Sequence, residues 1–179
     1  FAWITLWDST FSDREHPFSI SSSAGSASSS GRPETIEFTI KELGDFTSRI
    51  KQAQPGQPVY LDGPHGAFSI DRQPDSAGYV FIAGGVGITP MMSMMRTLAE
   101  RGDRRPLLLV YANKNWESVI FREEIEALRP RLNLRVVHVL EQVPEGWQGE
   151  KGFVNAVENT LSRLGVPLTR FHSERFNLV

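Results

Sequence analysis

Cysteine is absent from all 179 residues. These residues supply no disulfide, no thiolate zinc site and no cysteine-held iron–sulfur cluster. A long apolar run is missing too. The best candidate, Tyr79 to Met95, is broken by glycines and by Thr89, Pro90 and Ser93. It falls short of the roughly 18 to 20 apolar residues that span a membrane. There is no basic excess: 19 Lys and Arg stand against 21 Asp and Glu, for a net charge of -2. That balance excludes a nucleic-acid-binding domain as the first reading. Phe1 to Asp13 lacks the basic start of a signal peptide. His16, His65, His138 and His172 are too scattered to predict a local metal site. What is present, 40% hydrophobic and 22% charged residues, is the composition of a folded chain and not of a disordered or collagen-like one.

The first 70 or so residues read as β structure. Ala2 to Leu6, Pro17 to Ser21 and Pro58 to Asp62 are short runs of strand formers, and Thr35 to Ile40 alternates polar and apolar with period two. Ser21 to Pro33 is a Ser/Gly-rich loop, and Phe46 to Gln52 a short helix ended by Pro55-Gly56. From Gly78 the pattern changes. Gly78 to Ala83 is a continuous apolar run, as buried parallel strands are, Leu107 to Tyr111 is a second buried strand, and Leu134 to Leu140 is a third strand. Between them lie helical patterns from Thr89 to about Arg101 and from Ser118 to Leu128. A last helix is expected from Asn155 to Leu164, ended by Gly165 and Pro167. Thr89 suits an N-cap and Pro90 a first helical position. Strand–helix alternation predicts a right-handed parallel α/β sheet. The expected boundary lies at the polar stretch around Pro74, giving units of 1–74 and 75–179.

Three motifs carry chemistry. Gly84-Gly85-Val86-Gly87-Ile88-Thr89-Pro90 stands where a buried strand meets a helix. Small residues there let a phosphate approach the backbone and the helix N-terminus. The same residues also suit a tight strand–helix connection, and the spacing is not G-x-G-x-x-G. Gly44-Asp45-Phe46-Thr47 opens the short helix and reads as a phosphate cradle or as an ordinary cap. His16-Pro17-Phe18-Ser19-Ile20-Ser21-Ser22 puts an imidazole, an aromatic and several hydroxyls on a β segment, either as a ligand strand or as a solvated one.

Taken in order, these motifs resemble the ferredoxin–NADP reductase superfamily. The His-Pro-Phe-Ser-Ile-Ser form resembles its ferric reductase and NADPH oxidase branch. The resemblance implies a two-domain fold: an antiparallel β-barrel flavin domain, incomplete here, then an α/β parallel-sheet nucleotide-binding domain. It implies FAD and NADPH or NADH as cofactors. It places His16, Pro17, Phe18, Ser19, Ser21 and Ser22 at the flavin, with Phe18 flanking the isoalloxazine and Ser19 near flavin N5. Gly44, Asp45, Phe46 and Thr47 would hold the FAD pyrophosphate. Asp62 to Gly66 resembles the turn between the domains. Gly84, Gly85, Val86, Gly87, Thr89 and Pro90 would hold the NAD(P)H pyrophosphate, with Tyr111, Asn113 and Lys114 on the adenosine side. His172-Ser173-Glu174-Arg175-Phe176 resembles the C-terminal signature, where Phe176 covers the flavin face and Glu174 contacts the carboxamide or relays a proton. Read alone, Phe176 is a terminal core aromatic.

Two departures from the family pattern stand out. The Cys-Gly-Pro-Pro-x-Met motif is missing where Val154 runs into Asn155, and Phe1 resembles the middle of the barrel. The expectation is an incomplete readout of a longer protein, with a degenerate, inactive chain as the alternative. The implied reaction is hydride transfer from NAD(P)H to FAD, followed by single-electron release. Ser19, Glu174 and Phe176 are the expected catalytic residues. Lys114 and Arg122 lean the donor toward NADPH, or are surface charges. The implied acceptor is a haem in an upstream membrane domain of the same protein, which puts this region at the cytoplasmic face. The alternatives are a soluble reductase feeding an iron–sulfur domain or an oxygenase, a non-catalytic nucleotide-sensing domain, and an unrelated α/β protein.

Overall fold

The structure is a computed structural model. It describes residues 1–7, 14–24 and 35–151. The Asn155–Leu164 helix, Glu174 and Phe176 lie outside the described residues.

The first unit is an antiparallel sheet of three short strands, β1 (Ala2–Leu6), β2 (His16–Phe18) and β3 (Val59–Asp62), in the order β2-β1-β3. Ile4 pairs with His16 on one side and with Leu61 on the other. The period-two run Thr35 to Ile40 does not form the expected strand. It makes a single bridge, between Ile20 and Phe38. Side chains compete for its backbone: the Ser21 hydroxyl donates to the Glu37 carbonyl at 3.1 Å, and the Glu37 N–H donates to Ser22 Oγ at 3.2 Å. A short helix, α1 (Asp45–Arg49), continues as a 3₁₀ turn to Gln52.

The second unit is a parallel sheet, β4 (Tyr79–Gly84), β5 (Pro106–Asn113), β6 (Asn133–Leu140) and β7 (Glu150–Lys151), in that order. Helices α2 (Ile88–Glu100) and α3 (Arg122–Leu128) supply the crossovers. On α2, Ile88, Met92, Met95 and Leu98 recur at helical spacing and are buried. They pack with Ile125 and Leu128 of α3 on the sheet face formed by Phe81, Ala83, Leu107, Leu109, Tyr111 and Leu140. The opposite face carries Val110 and Val139, with Ile82, Leu108, Ala112 and Val137 around them. Burial on both faces is why Tyr79–Ala83 and Leu107–Tyr111 run without a charged residue, while β6 admits Arg135 where it is exposed. No described helix is long and apolar enough to cross a membrane. Among the described residues no group of His, Asp and Glu is placed to hold a metal ion.

Two helix starts differ from the sequence expectation. Thr89 is not the N-cap of α2. The chain already winds into a 3₁₀ turn at Gly85–Gly87, and Gly87 takes the cap. The Thr89 hydroxyl turns back instead and donates to the Val86 carbonyl at 2.6 Å. The helix expected from Ser118 begins at Arg122. Asn115 caps a 3₁₀ turn at Trp116–Ser118, and Phe121 takes a left-handed conformation with φ 57° before α3 opens.

His138 on β6 tests the packing of this unit by pH. Its ring lies 6.1 Å from Tyr111 and 5.0 Å from Trp116, and its Nδ1 is buried with no hydrogen-bond partner among the described residues. Burial lowers its pKa, and the Arg129 and Arg122 charges push the same way against Glu126. The folded state therefore keeps His138 neutral while the unfolded chain takes up a proton below about pH 6.5. Stability falls as pH drops from there toward the lowered folded pKa, by at most about 1.4 kcal/mol per pH unit for this one group. His138→Phe is expected to flatten that part of the profile. Thermal melts of both proteins at pH 7.5 and 5.5 check it, and parallel profiles would assign the acid loss elsewhere.

Candidate functional site

The C-terminal ends of parallel strands leave backbone groups and side chains facing a crevice, and here that crevice is a cavity of about 720 Å³. Gly85 and Val86 form its wall at the end of β4, Asn113 and Lys114 at the end of β5, and Val139 and Glu141 at the end of β6. Ser118 and Ile120 enter from the stretch before α3. Thr39, Ile40 and Lys41 come from the first unit. The parallel register aligns Asn113 with Leu140, so Glu141 falls one step beyond the paired ends.

The glycine turn is shaped for close approach. Gly85 has φ +49°, and a Cβ built on Gly84 or Gly85 meets nothing within 4 Å. Tyr111 supports the turn from the core. Its fully buried phenol donates to the Gly85 carbonyl at 3.2 Å, and burial raises its pKa, so it stays protonated. Asn113 is 9% exposed, and neither Nδ2 nor Oδ1 has a hydrogen-bond partner among the described residues. The amide lies beside the Tyr111 phenol, whose pKa it draws down against burial, and a buried primary amide that makes no hydrogen bond of full geometry is the mark of a site built for a ligand or an ordered water.

The other expected residues gather elsewhere. Phe46 of α1 stacks on His16 with ring centroids 3.7 Å apart, and lies 5.9 Å from Phe18 at a 22° angle. Trp7 meets Phe46 at 6.1 Å with the Arg49 guanidinium over its ring. Burial lowers the pKa of His16, so this stack carries a neutral imidazole. The strand motif and the Gly44–Thr47 motif therefore meet in space, with Pro17 exposed beside them and Ser19 half-buried one residue beyond. Gly44 caps α1, while Thr47 Oγ1 accepts from the Leu43 and Gly44 N–H groups at 2.8 and 2.9 Å. Ser21 does not face either region. It is 1% exposed and bonded to Glu37 and Thr39. Ser22 uses its hydroxyl on the Glu37 N–H. Gly87, Thr89 and Pro90 form the body of the turn and the first turn of α2 behind it.

Sequence reading missed Thr39, Ile40, Lys41, Ser118, Ile120, Val139 and Glu141 of the cavity, and Trp7 of the stack. Glu141 alone had a signal. The third expected strand ends at Leu140, and in a parallel sheet the next residue joins the same crevice as the ends of the first two.

Comparison with known proteins agrees with this layout. Residues 81–164 match the oxidoreductase NAD-binding domain. NADH-cytochrome b5 reductase 1 of Pyricularia oryzae is 34% identical over 130 residues, which are 69% of this chain and 41% of that protein. Ferredoxin–NADP reductase B of Sorangium cellulosum is 32% identical over 123 residues, 68% of this chain and 50% of that protein. The chain thus spans half or less of the length of these relatives. Among solved structures, the CS-b5R domains of human Ncb5or in the NAD+ form superpose with a TM-score of 0.68 at 25% identity, over 93% of this chain and 49% of that one. Residues 81–164 therefore form an oxidoreductase NAD-binding domain, and the chain as a whole is similar to reductases of the ferredoxin–NADP reductase superfamily, cytochrome b5 reductases among them.

Proposed function

We propose that this chain is the reductase region of a flavin-dependent NAD(P)H oxidoreductase. The observation that carries the reading is the cavity at the strand ends, where an open glycine turn faces a buried, unspent Asn113 amide. That donor set fits a dinucleotide. The turn amides and the start of α2 hold the pyrophosphate, Asn113 offers one donor and one acceptor, and Lys41 and Lys114 supply positive charge. The His16–Phe46–Phe18 stack fits FAD, as a flat apolar surface beside the amides at the start of α1. FAD, when bound, supplies the ability to take a hydride and release its electrons singly. The protein's part is position. Phe18 and His16 would orient the flavin face, and Ser19 would offer a hydroxyl beside it.

The acceptor we propose is a haem in a membrane domain of the same protein, with this region at the cytoplasmic face. Its support is the His16-Pro17-Phe18-Ser19-Ile20-Ser21 form. A second reading, a soluble one-electron acceptor, is supported by the names of the relatives, which are reductases of cytochrome b5 and of ferredoxin.

Anaerobic mixing of the FAD-loaded protein with NADH and with NADPH tests the reading. Bleaching of the flavin band is the expected result. No FAD uptake, or bound FAD that neither donor bleaches, would sink it. Glu141 makes the donor testable as well. Among the described residues it is the only acidic one lining the cavity, and a 2′-phosphate brought near it is repelled. Glu141→Gln is expected to raise the NADPH-to-NADH ratio of kcat/KM about tenfold, equivalent to about 1.4 kcal/mol. An unchanged ratio would place the 2′ position away from β6.

A further inference from the structure

Three residues on one face of α2 grip the first unit of the chain. The Ser93 hydroxyl donates to the Ser22 carbonyl at 2.6 Å, and Thr97 Oγ1 accepts from the Ala24 N–H at 2.9 Å. Between them Arg96 makes four bonds. Its Nε and Nη2 donate to the two carboxylate oxygens of Glu124 on α3 at 2.6 and 2.8 Å. Its Nη1 donates to the Ser21 carbonyl at 2.6 Å and to Glu37 Oε2 at 2.8 Å. The guanidinium also lies 5.5 Å from the Phe121 ring, and the side chain is 19% exposed. One fixed fork thus ties together α2, α3 and the segment that follows Ser19. Lysine has neither the planarity nor the donor count to replace it.

The placement of α2 gives this fork its consequence. The first turn of α2 continues the glycine turn of the cavity, and its middle holds Ser21, two residues from Ser19. Shifting the Ser21 segment along α2 changes the spacing between the aromatic stack and the cavity while leaving each of them intact. Resting on the reading of these two regions as flavin and nicotinamide sites, we propose that Arg96 is a positioning residue for hydride transfer. It sets the distance between the two cofactor sites without touching either. A displacement of about 1 Å at the reacting atoms is enough to slow a reaction by roughly a hundredfold.

The test uses the FAD-loaded protein and its Arg96→Gln and Arg96→Lys variants, with Glu37→Gln as a milder change at an exposed partner. Stopped-flow flavin reduction gives the limiting rate and the half-saturating donor concentration separately. Hydrogen exchange of the Ser21 and Ala24 amides is read on the ligand-free proteins. Expected is a limiting rate roughly ten- to a hundredfold lower in both Arg96 variants. FAD affinity and half-saturation should stay within about threefold of wild type, and the Ser21 and Ala24 amides should exchange faster. Glu37→Gln, a change at a side chain that is 56% exposed, should show the same pattern with a smaller drop. A limiting rate unchanged in every variant would overturn the proposal. So would a fall matched by equal loss of FAD or donor binding, which is a merely structural effect. If wild type takes up no FAD, it is the reading of the sites that fails. The exchange arm then still decides whether Arg96 clamps the Ser21 segment, and unchanged exchange would overturn that too.

Discussion

Gly85→Val is expected to weaken binding of ADP-ribose, a probe with the pyrophosphate but no nicotinamide, by about a hundredfold, or about 2.7 kcal/mol. Two effects add. Gly85 has φ +49°, a left-handed conformation that costs a residue with a Cβ roughly 1–2 kcal/mol and a β-branched one more. The new side chain also projects into space that is open to the cavity, where a phosphate would meet the turn. Gly102 separates the two. It has φ +65° and open space as well, but it lies at the other end of α2. There the Asp103 N–H donates to the Leu98 carbonyl at 2.9 Å and the Gly102 N–H to the Ala99 carbonyl at 3.3 Å, closing the helix. Gly102→Val should therefore cost comparable stability and leave binding unchanged. Titration calorimetry and thermal melts on both variants check this. Equal losses of affinity would mean that strain alone, transmitted through α2, accounts for the effect, and that the turn is only a connection.

The second unit was legible because its strands are buried on both faces. Gly78 to Ala83 and Leu107 to Tyr111 are continuous runs without a charged residue, and Leu134 to Leu140 is interrupted only by Arg135 and His138; all three fall on observed strands, with Gly78 one residue before the first. The α2 pattern was legible for the same reason, since Ile88, Met92, Met95 and Leu98 mark one face. Legibility ended where side chains replaced backbone partners. Thr35 to Ile40 alternates as a strand does. Its neighbour is the hydroxyl-rich Ser21–Ser22 pair: the Glu37 carbonyl accepts from both the N–H and the hydroxyl of Ser21, the Glu37 N–H goes to Ser22 Oγ instead of a strand, and only the Ile20–Phe38 bridge remains. The late start of α3 has a similar cause. Val119 is buried in the core through extended backbone, with ψ 101°, and Ile120 lines the cavity from the turn that follows, a course that a helix from Ser118 would remove.

At the candidate site, residues contiguous in sequence were easy to name and residues supplied from a distance were not. Gly85, Val86, Asn113 and Lys114 sit directly after apolar strands, where the chemistry of parallel sheets places ligands. Thr39 to Lys41 reach the same cavity only because Thr39 Oγ1 donates to Ser21 Oγ at 3.1 Å and the Ser21 segment is held on α2. Nothing in the spacing of those residues announces that contact. Ser21 is the converse. The motif put it with the ligand-facing hydroxyls, and the fold spends it on the join between the units.

Asn113→Leu is expected to stabilise the ligand-free protein while weakening it as a binder. The two side chains are close in size, and the Asn113 backbone is already engaged, its carbonyl accepting from the Glu141 N–H at 3.1 Å. What the substitution removes is a buried amide whose Nδ2 and Oδ1 have no partner among the described residues. Leaving such a group unsatisfied costs about 1–3 kcal/mol. Its removal should raise Tm by roughly 2–12 °C for a chain of this size. The same change deletes one donor and one acceptor from the cavity wall, so ADP-ribose should bind about ten- to a hundredfold more weakly, about 1.4–2.7 kcal/mol. Opposite signs for stability and affinity are the signature of a residue kept for a ligand. Asn113→Asp sharpens the result. It keeps the shape but buries a negative charge facing a pyrophosphate, so both stability and affinity should fall at pH 7. If Asn113→Leu instead lowers Tm and leaves ADP-ribose affinity intact, the amide is a structural group, and the adenosine side of the site must be sought at Lys114 and Glu141.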